Sequence, residues 1–141
     1  MSVDPPSHPQ ETDYSCAPAC LRWVLAQYGV VKTEEELREL SDCTFLGTSA
    51  LNLVDAARQL GFAGTRKYNL TFDQLVDEVE RGIFPIVYLC LTGIQEHAVV
   101  VVAVKESEVH FHDPARGETV YPADDFLRDW HLMKCLTILV E

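Results

Sequence analysis

The order of apolar and polar positions changes character near residue 83. Before it, apolar residues recur every three or four positions, the period of a helix with one buried stripe. After it they come in short blocks of Val, Ile, Leu, Tyr and Phe between turn residues, the pattern of strands. Ala17, Cys20, Leu21, Val24, Leu25 and Tyr28 trace the first stripe, and Gly29 supplies a left-handed stop. Pro18 suits the first turn of that helix, where a missing N–H costs nothing, so the spacing predicts a start at or just after Cys16. Thr33 followed by Glu36 is a capping-box pair and predicts a short acidic helix to about Leu40 with a solvated outer face. Ser49 can cap a third helix carrying Leu51, Val54, Ala57 and Leu60 and ended by Gly61. Thr71 and Gln74 box a fourth, ended by Gly82. Residues 85–91, 97–104, 108–113 and 132–140 read as strands of an antiparallel sheet. A helical half followed by a strand half is the α+β pattern. It predicts one domain over residues 1–141, its N-terminal helices covering one face of a C-terminal sheet, with residues 1–9 as a Pro-rich arm.

Length agrees with this reading, because 141 residues suffice for one hydrophobic core and not for two full-sized ones. With 22 acidic and 11 basic side chains the formal charge is −11, which repels phosphate backbones and anionic lipid, so neither nucleic acid nor a membrane is expected as partner. The first fifteen residues lack the basic start and apolar block of a secretory signal, and no apolar run approaches the ~20 residues of a membrane-spanning helix. A cytoplasmic protein is expected. Cysteine falls at 16, 20, 43, 90 and 135, an odd count without paired CxxC spacing, which suits neither a disulfide scaffold nor a four-cysteine zinc site.

Free cysteines are most often small buried hydrophobes, and Cys20, Cys43, Cys90 and Cys135 take that reading. Cys16 differs in position: unpaired N–H groups and the dipole at a helix start stabilise a thiolate. A nucleophilic thiol needs a base, and the base an orienting partner. His97 opens one strand and Asp113 closes the next. With Lys105, Glu106 and Ser107 as a three-residue loop, Val104 faces Glu108, Val99 faces Asp113, and His97 lies diagonally beside Asp113 on one face of the sheet. A loop of two or four residues puts them on opposite faces. The competing reading makes His97 a strand-end surface residue and Asp113 part of an Asp-Pro turn. His110 and His112 form an HxH pair that can bind zinc or copper, but no third ligand stands at a telling distance. His8 and His131 look peripheral, and Asp124, Asp125 and Asp129 read as the solvated face of a short segment with Phe126 and Trp130 turned inward.

Residues 10–21, with Gln10, Cys16, Ala17, Pro18 and Cys20, resemble the N-terminal active-site motif of the bacteriocin-processing, double-glycine-type cysteine peptidases, which are papain-like. The strand begun by His97 and the Asp113-Pro114 pair match the rest of that family's site in order and spacing. The likeness extends to Gly47-Thr48-Ser49, Gly61-Phe62, Gly82-Ile83-Phe84-Pro85 and the segment from Phe126 to Trp130. Two positions depart: Ala17 stands where the family usually has Gly, and Ser15 where its transporter-fused members commonly have Asp. The chain has neither the membrane spans nor the ATP-binding domain of a peptide exporter and resembles a free-standing member. The resemblance implies Cys16 as nucleophile, His97 as base, Asp113 as its orienting group and Gln10 as an oxyanion-hole donor, acting on a peptide or protein substrate without metal or cofactor. Two rival readings stay open on sequence: an acyl transferase or amidase sharing the acyl-enzyme, and a catalytically inactive peptide-binding domain.

Overall fold

A computed structural model describes residues 9–141, so most of the Pro-rich arm, His8 included, lies outside the described residues. The chain forms α1 (Cys16–Gln27), α2 (Glu34–Leu40), α3 (Ala50–Gln59), β1 (Arg66–Asn69), α4 (Phe72–Glu80), β2 (Ile86–Leu91), β3 (Gln95–Lys105), β4 (Glu108–Asp113), β5 (Gly117–Pro122), α5 (Ala123–His131) and β6 (Leu136–Leu139). Six strands make one antiparallel sheet in the order β1-β6-β2-β3-β4-β5. The caps lie where the sequence places them. Thr33 with Glu36 and Thr71 with Gln74 both close full capping boxes, and Ser49 accepts from the Asn52 N–H. Gly29 follows α1 at φ 78°, a left-handed value that costs glycine little.

The sheet is covered on both faces, not on one as the helical-then-strand order suggested. Ile86, Tyr88, Ala98, Val100 and Ile138 pack against α1, α2 and α3, burying Cys20, Leu21, Leu25, Leu37 and Leu53. The alternate positions Val87, Leu89, Val99, Val101, Val109 and Phe111 face the other way, against Leu75 of α4 and Phe126 and Trp130 of α5. Unbroken apolar runs in β2 and β3 follow from this, since each strand must bury both parities. The strand expected over 132–140 is shorter: backbone bonds from Met133 and Cys135 to the Trp130 carbonyl wrap residues 132–135 around the end of α5, leaving β6 to start at Leu136. β1 and β5 are additions to the expected set. Both are short edge strands whose positions are largely exposed, so they carry little apolar signal.

The β3–β4 connection corrects the expected loop. Lys105 pairs with Glu108 and Val104 with Val109, so the turn holds only Glu106 and Ser107, at φ 47° and 69°. Two successive left-handed residues give the hairpin twist that tight turns favour. A shift in pairing between Val101 and Ala103 then leaves Val102 as an extra residue, a β-bulge. Below it Val101 faces Phe111 and Val100 faces His112, which continues into the expected register of Val99 opposite Asp113. The bulge restores what the shorter turn takes away.

Two acidic groups expected in solvent are also buried. Asp129 accepts from Arg128 Nε at 3.1 Å, and Glu34, 1% exposed, accepts from the Glu11 backbone N–H. Each has a donor close by, as a carboxylate removed from water requires.

Candidate active site

α1 begins at Cys16 because the chain before it is tied into a turn. The Ser15 hydroxyl accepts from the Thr12 N–H and donates to the Thr12 carbonyl, both at 3.1 Å, and therefore does not cap the helix. First-turn N–H groups and the positive end of the helix dipole are left facing the Cys16 side chain, which is half-buried. His97 comes to it from β3 and Asp113 from the end of β4. His97 Nε2 stands 2.7 Å from Asp113 Oδ1, and Cys16 lines one cleft with the same ring. With Nε2 taken by the carboxylate, Nδ1 is the ring nitrogen left for another partner.

Both partners are enclosed, His97 at 5% exposure and Asp113 at none. Burial alone would lower the His97 pKa. The hydrogen bonds to Asp113 and Cys16 and the charges on both outweigh it, lifting the value from 6.5 to about 9. Burial works in the opposite sense on Asp113, yet its bonds to His97, the Ala115 N–H and Arg116 hold it down to about 2. Asp113 Oδ1 accepts from Ala115 N at 2.8 Å, and Oδ2 from Arg116 Nε at 2.9 Å. The Arg116 guanidinium is itself steadied by the Tyr121 hydroxyl at 3.0 Å and by the Tyr121 ring. A fixed carboxylate and a protonated imidazole beside a thiol are what a cysteine nucleophile needs.

Cys16 and His97 line a cleft of about 240 Å³ together with Asp13, Tyr88, Glu96 and the segment from Phe45 to Thr48. Phe45 and Leu46 are exposed on its rim. Tyr88 is buried with its hydroxyl unpartnered. Gln10 sits in a neighbouring depression with Pro114 and Ala115, which joins the cleft at Asp13. Its backbone N–H donates to the Pro114 carbonyl at 2.8 Å and its Nε2 to the Thr12 carbonyl at 2.6 Å, while Oε1 is buried without a partner.

The remaining cysteines and histidines fall elsewhere. Cys20 is fully buried one turn along α1, its pKa pushed well up by burial and by charge on Cys16 and Asp113, which keeps it an inert thiol. His112 does not join His110 at a metal site: it stacks on Trp23 of α1 at 5.5 Å, and burial lowers its pKa. His131 ends α5 on the surface. Sequence reasoning did not single out Arg116, Tyr88, Glu34 or the Phe45-Leu46 rim. Arg116 carried a signal, three residues after an Asp-Pro pair; the others depend on tertiary neighbours.

An α+β domain with a thiol at a helix N-terminus, lining one cleft with an imidazole that a buried carboxylate holds, has the layout of a cysteine peptidase domain. The chain belongs to the Peptidase C39 family, whose sequence profile it matches over residues 5–139. It is 31% identical over 122 residues to the lactococcin-G-processing and transport ATP-binding protein LagD of Lactococcus lactis subsp. lactis, covering 86% of this chain and 17% of LagD. To the transport/processing ATP-binding protein ComA of Streptococcus pneumoniae it is 34% identical over 127 residues, again 86% of this chain and 17% of ComA. An uncharacterized protein of Methanothermobacter thermautotrophicus, 33% identical, is matched over 84% of this chain and 78% of its own length. The chain thus spans about a sixth of the two transport proteins and most of the archaeal one. Among solved structures, the peptidase domain of Streptococcus ComA superposes with a TM-score of 0.82 at 30% identity, over 94% of this chain and 96% of that one. A double glycine motif protease from an AMS/PCAT transporter, solved with its leader peptide, gives 0.76 at 24% identity over 96% and 91%, a likeness of fold. No helix among the described residues is long and apolar enough to cross a membrane.

Proposed function

We propose that the protein hydrolyses a peptide bond with Cys16 as nucleophile, His97 as acid and base, Asp113 as the group that orients His97, and Gln10 as an oxyanion donor. The observation that supports this reading is the His97 imidazole, held by Asp113 at 2.7 Å and lining one cleft with Cys16. With its pKa at about 9, His97 holds a proton at neutral pH and can serve as the acid. Cys16 attacks the carbonyl carbon as its thiolate. As the C–N bond breaks, His97 passes its proton to the leaving amine, and the acyl group is left on sulfur. His97, now neutral, takes a proton from water, the hydroxide adds to the thioester, and the acid product leaves.

The tetrahedral oxygen lies close to the start of α1, where the Cys16 N–H and the helix dipole favour negative charge. Gln10 Nε2 uses one hydrogen on Thr12 and has a second to offer. Ala17 in place of glycine is accommodated, its side chain buried in the α1 core. A narrow cleft with apolar residues on its rim suits an extended polypeptide with small residues at the cut. By analogy with the double-glycine protease, a substrate cut after Gly-Gly is the first to try. Five free cysteines fit a reducing compartment, and we place the reaction in the cytoplasm.

The test is incubation with peptides carrying Gly-Gly or Ala-Ala before a reporter group, analysed by mass spectrometry with and without hydroxylamine. Cleavage that Cys16→Ala abolishes supports the proposal. Hydroxamate would report the acyl-enzyme that both readings share; transfer to an added peptide amine in preference to acid would show a transferase, and no cleavage of any peptide together with ordinary Cys16 reactivity would leave a binding domain.

A further inference from the structure

Glu34 opens α2 and belongs by sequence to an acidic surface, yet its side chain is buried. What it meets there is the backbone at Glu11, between the arm and α1. Both carboxylate oxygens accept from the Glu11 N–H, at 3.0 and 3.1 Å. Arg38, one turn further along α2, lies 3.5 Å from Glu34 Oε2 and reaches Glu11 Oε1 at 3.0 Å. Arg22 of α1 approaches the other Glu11 oxygen at 3.9 Å. One residue earlier, the Gln10 N–H is held by the Pro114 carbonyl, next to Asp113. The dipeptide Gln10-Glu11 is therefore pinned to the helical half by Glu34 and to the sheet half by the strand end that carries Asp113. A segment so short, held on both sides, has little freedom to shift Gln10 from its place in the depression that adjoins the cleft at Asp13.

We propose that Glu34 is a positioning residue for the reaction, fixing the Gln10–Glu11 backbone so that the Gln10 amide meets the oxygen of the scissile carbonyl as charge develops on it. This assignment rests on the roles of Cys16 and Gln10 given above. It differs from a merely structural role in what it leaves intact. Alkylation by iodoacetamide displaces iodide from a saturated carbon and develops no oxyanion, so it draws only on the thiol and imidazole. Acylation by a peptide draws on Gln10 as well.

The experiment compares the unmodified full chain with Glu34→Leu, Glu34→Gln, Gln10→Ala and the Gln10→Ala/Glu34→Leu double variant. Each is assayed for cleavage of a Gly-Gly aminocoumarin peptide and for the rate of Cys16 alkylation. Glu34→Leu is expected to lose roughly a hundredfold in kcat, close to the loss in Gln10→Ala, with Cys16 alkylation changed by no more than about twofold. The double variant is expected to be no slower than Gln10→Ala, because both changes remove one interaction. Glu34→Gln keeps an acceptor for the Glu11 N–H and is expected to restore most of the rate; where Glu34→Leu does not fold, Glu34→Ala takes its place. The assignment is overturned if Glu34→Leu or Glu34→Ala cleaves at the unmodified rate, if alkylation falls in step with cleavage, or if the losses in the double variant multiply. Failure of the unmodified chain to cleave while Cys16 alkylates normally overturns the peptidase reading, and the assignment with it.

Discussion

Asp113→Asn isolates the charge that governs the site. The amide keeps an oxygen that can accept from His97 Nε2, so the ring has reason to stay where it is, but the negative charge is gone. In the native protein that charge and hydrogen bond, with help from Cys16, hold the His97 pKa at about 9 against burial, which pulls it below 6.5. The displacement corresponds to roughly 3 kcal/mol in favour of the imidazolium. Most of it is expected to vanish in the variant, taking the His97 midpoint to roughly 7 or below as desolvation acts with little opposition. Titration of the imidazole carbon-bound protons by NMR, with His97→Gln to assign the signal, reads this directly. Stability should follow with a defined sign. A raised pKa contributes stability that is complete below 6.5 and disappears as pH rises through 9, and the depressed Asp113 pKa contributes above 3.8 and disappears as pH falls through about 2. The gap in unfolding free energy between native and variant should therefore be widest between pH 4 and 6.5 and narrow toward pH 9. A His97 midpoint that moves by less than about half a unit would refute the assignment of the shift to Asp113.

Further outcomes can be measured on the same material. Cys16→Ala should abolish peptide cleavage with an unchanged circular dichroism spectrum, and Gln10→Ala should lower kcat by ~10²–10³ while sparing iodoacetamide alkylation. Cleavage by the native protein should fall above pH 9, as His97 loses the proton it gives to the leaving amine; a rate that climbs steadily through pH 10 would contradict this. Trp130 is fully buried between α5 and the sheet, and Trp130→Ala should cost about 3–5 kcal/mol in urea unfolding, a loss felt on the face away from Cys16. Deleting Val102 removes the bulge while leaving the turn, and should separate His97 from Asp113, so that cleavage stops and His97 titrates as in Asp113→Asn.

Helices and caps were legible because each rests on local chemistry: Thr33 with Glu36, Thr71 with Gln74, Ser49, and glycines at the stops. The His97–Asp113 pair was legible because its spacing brings the two together once the strands pair, and Cys16 because it stands at a helix start. The route to that pairing was not. A two-residue turn of Glu106 and Ser107 lacks the Asn-Gly or Asp-Gly mark of such turns, and a bulge inside a run of valines has no mark of its own. The fourth helix was foreseen but not the face it covers, and α5 went unforeseen as a helix because it opens on Asp124 and Asp125, so only Phe126 and Trp130 hint at its inner side. Glu34 looks from sequence like its exposed neighbours Glu35 and Glu36, and only the arm folded across it sets it apart.

The compensated hairpin limits how this segment can change in length. Sixteen positions separate His97 from Asp113, and their side chains meet because the turn and the bulge each alter the pairing by one. One residue gained or lost anywhere in between exchanges the two sides of the sheet for everything on the far side of the change. Two such events, one in each element, cancel. Divergent versions of this hairpin should therefore accept insertions and deletions only in matched pairs, as a coding frame does, and a tighter or looser turn in a relative should come with a gained or missing bulge in the strand beside it.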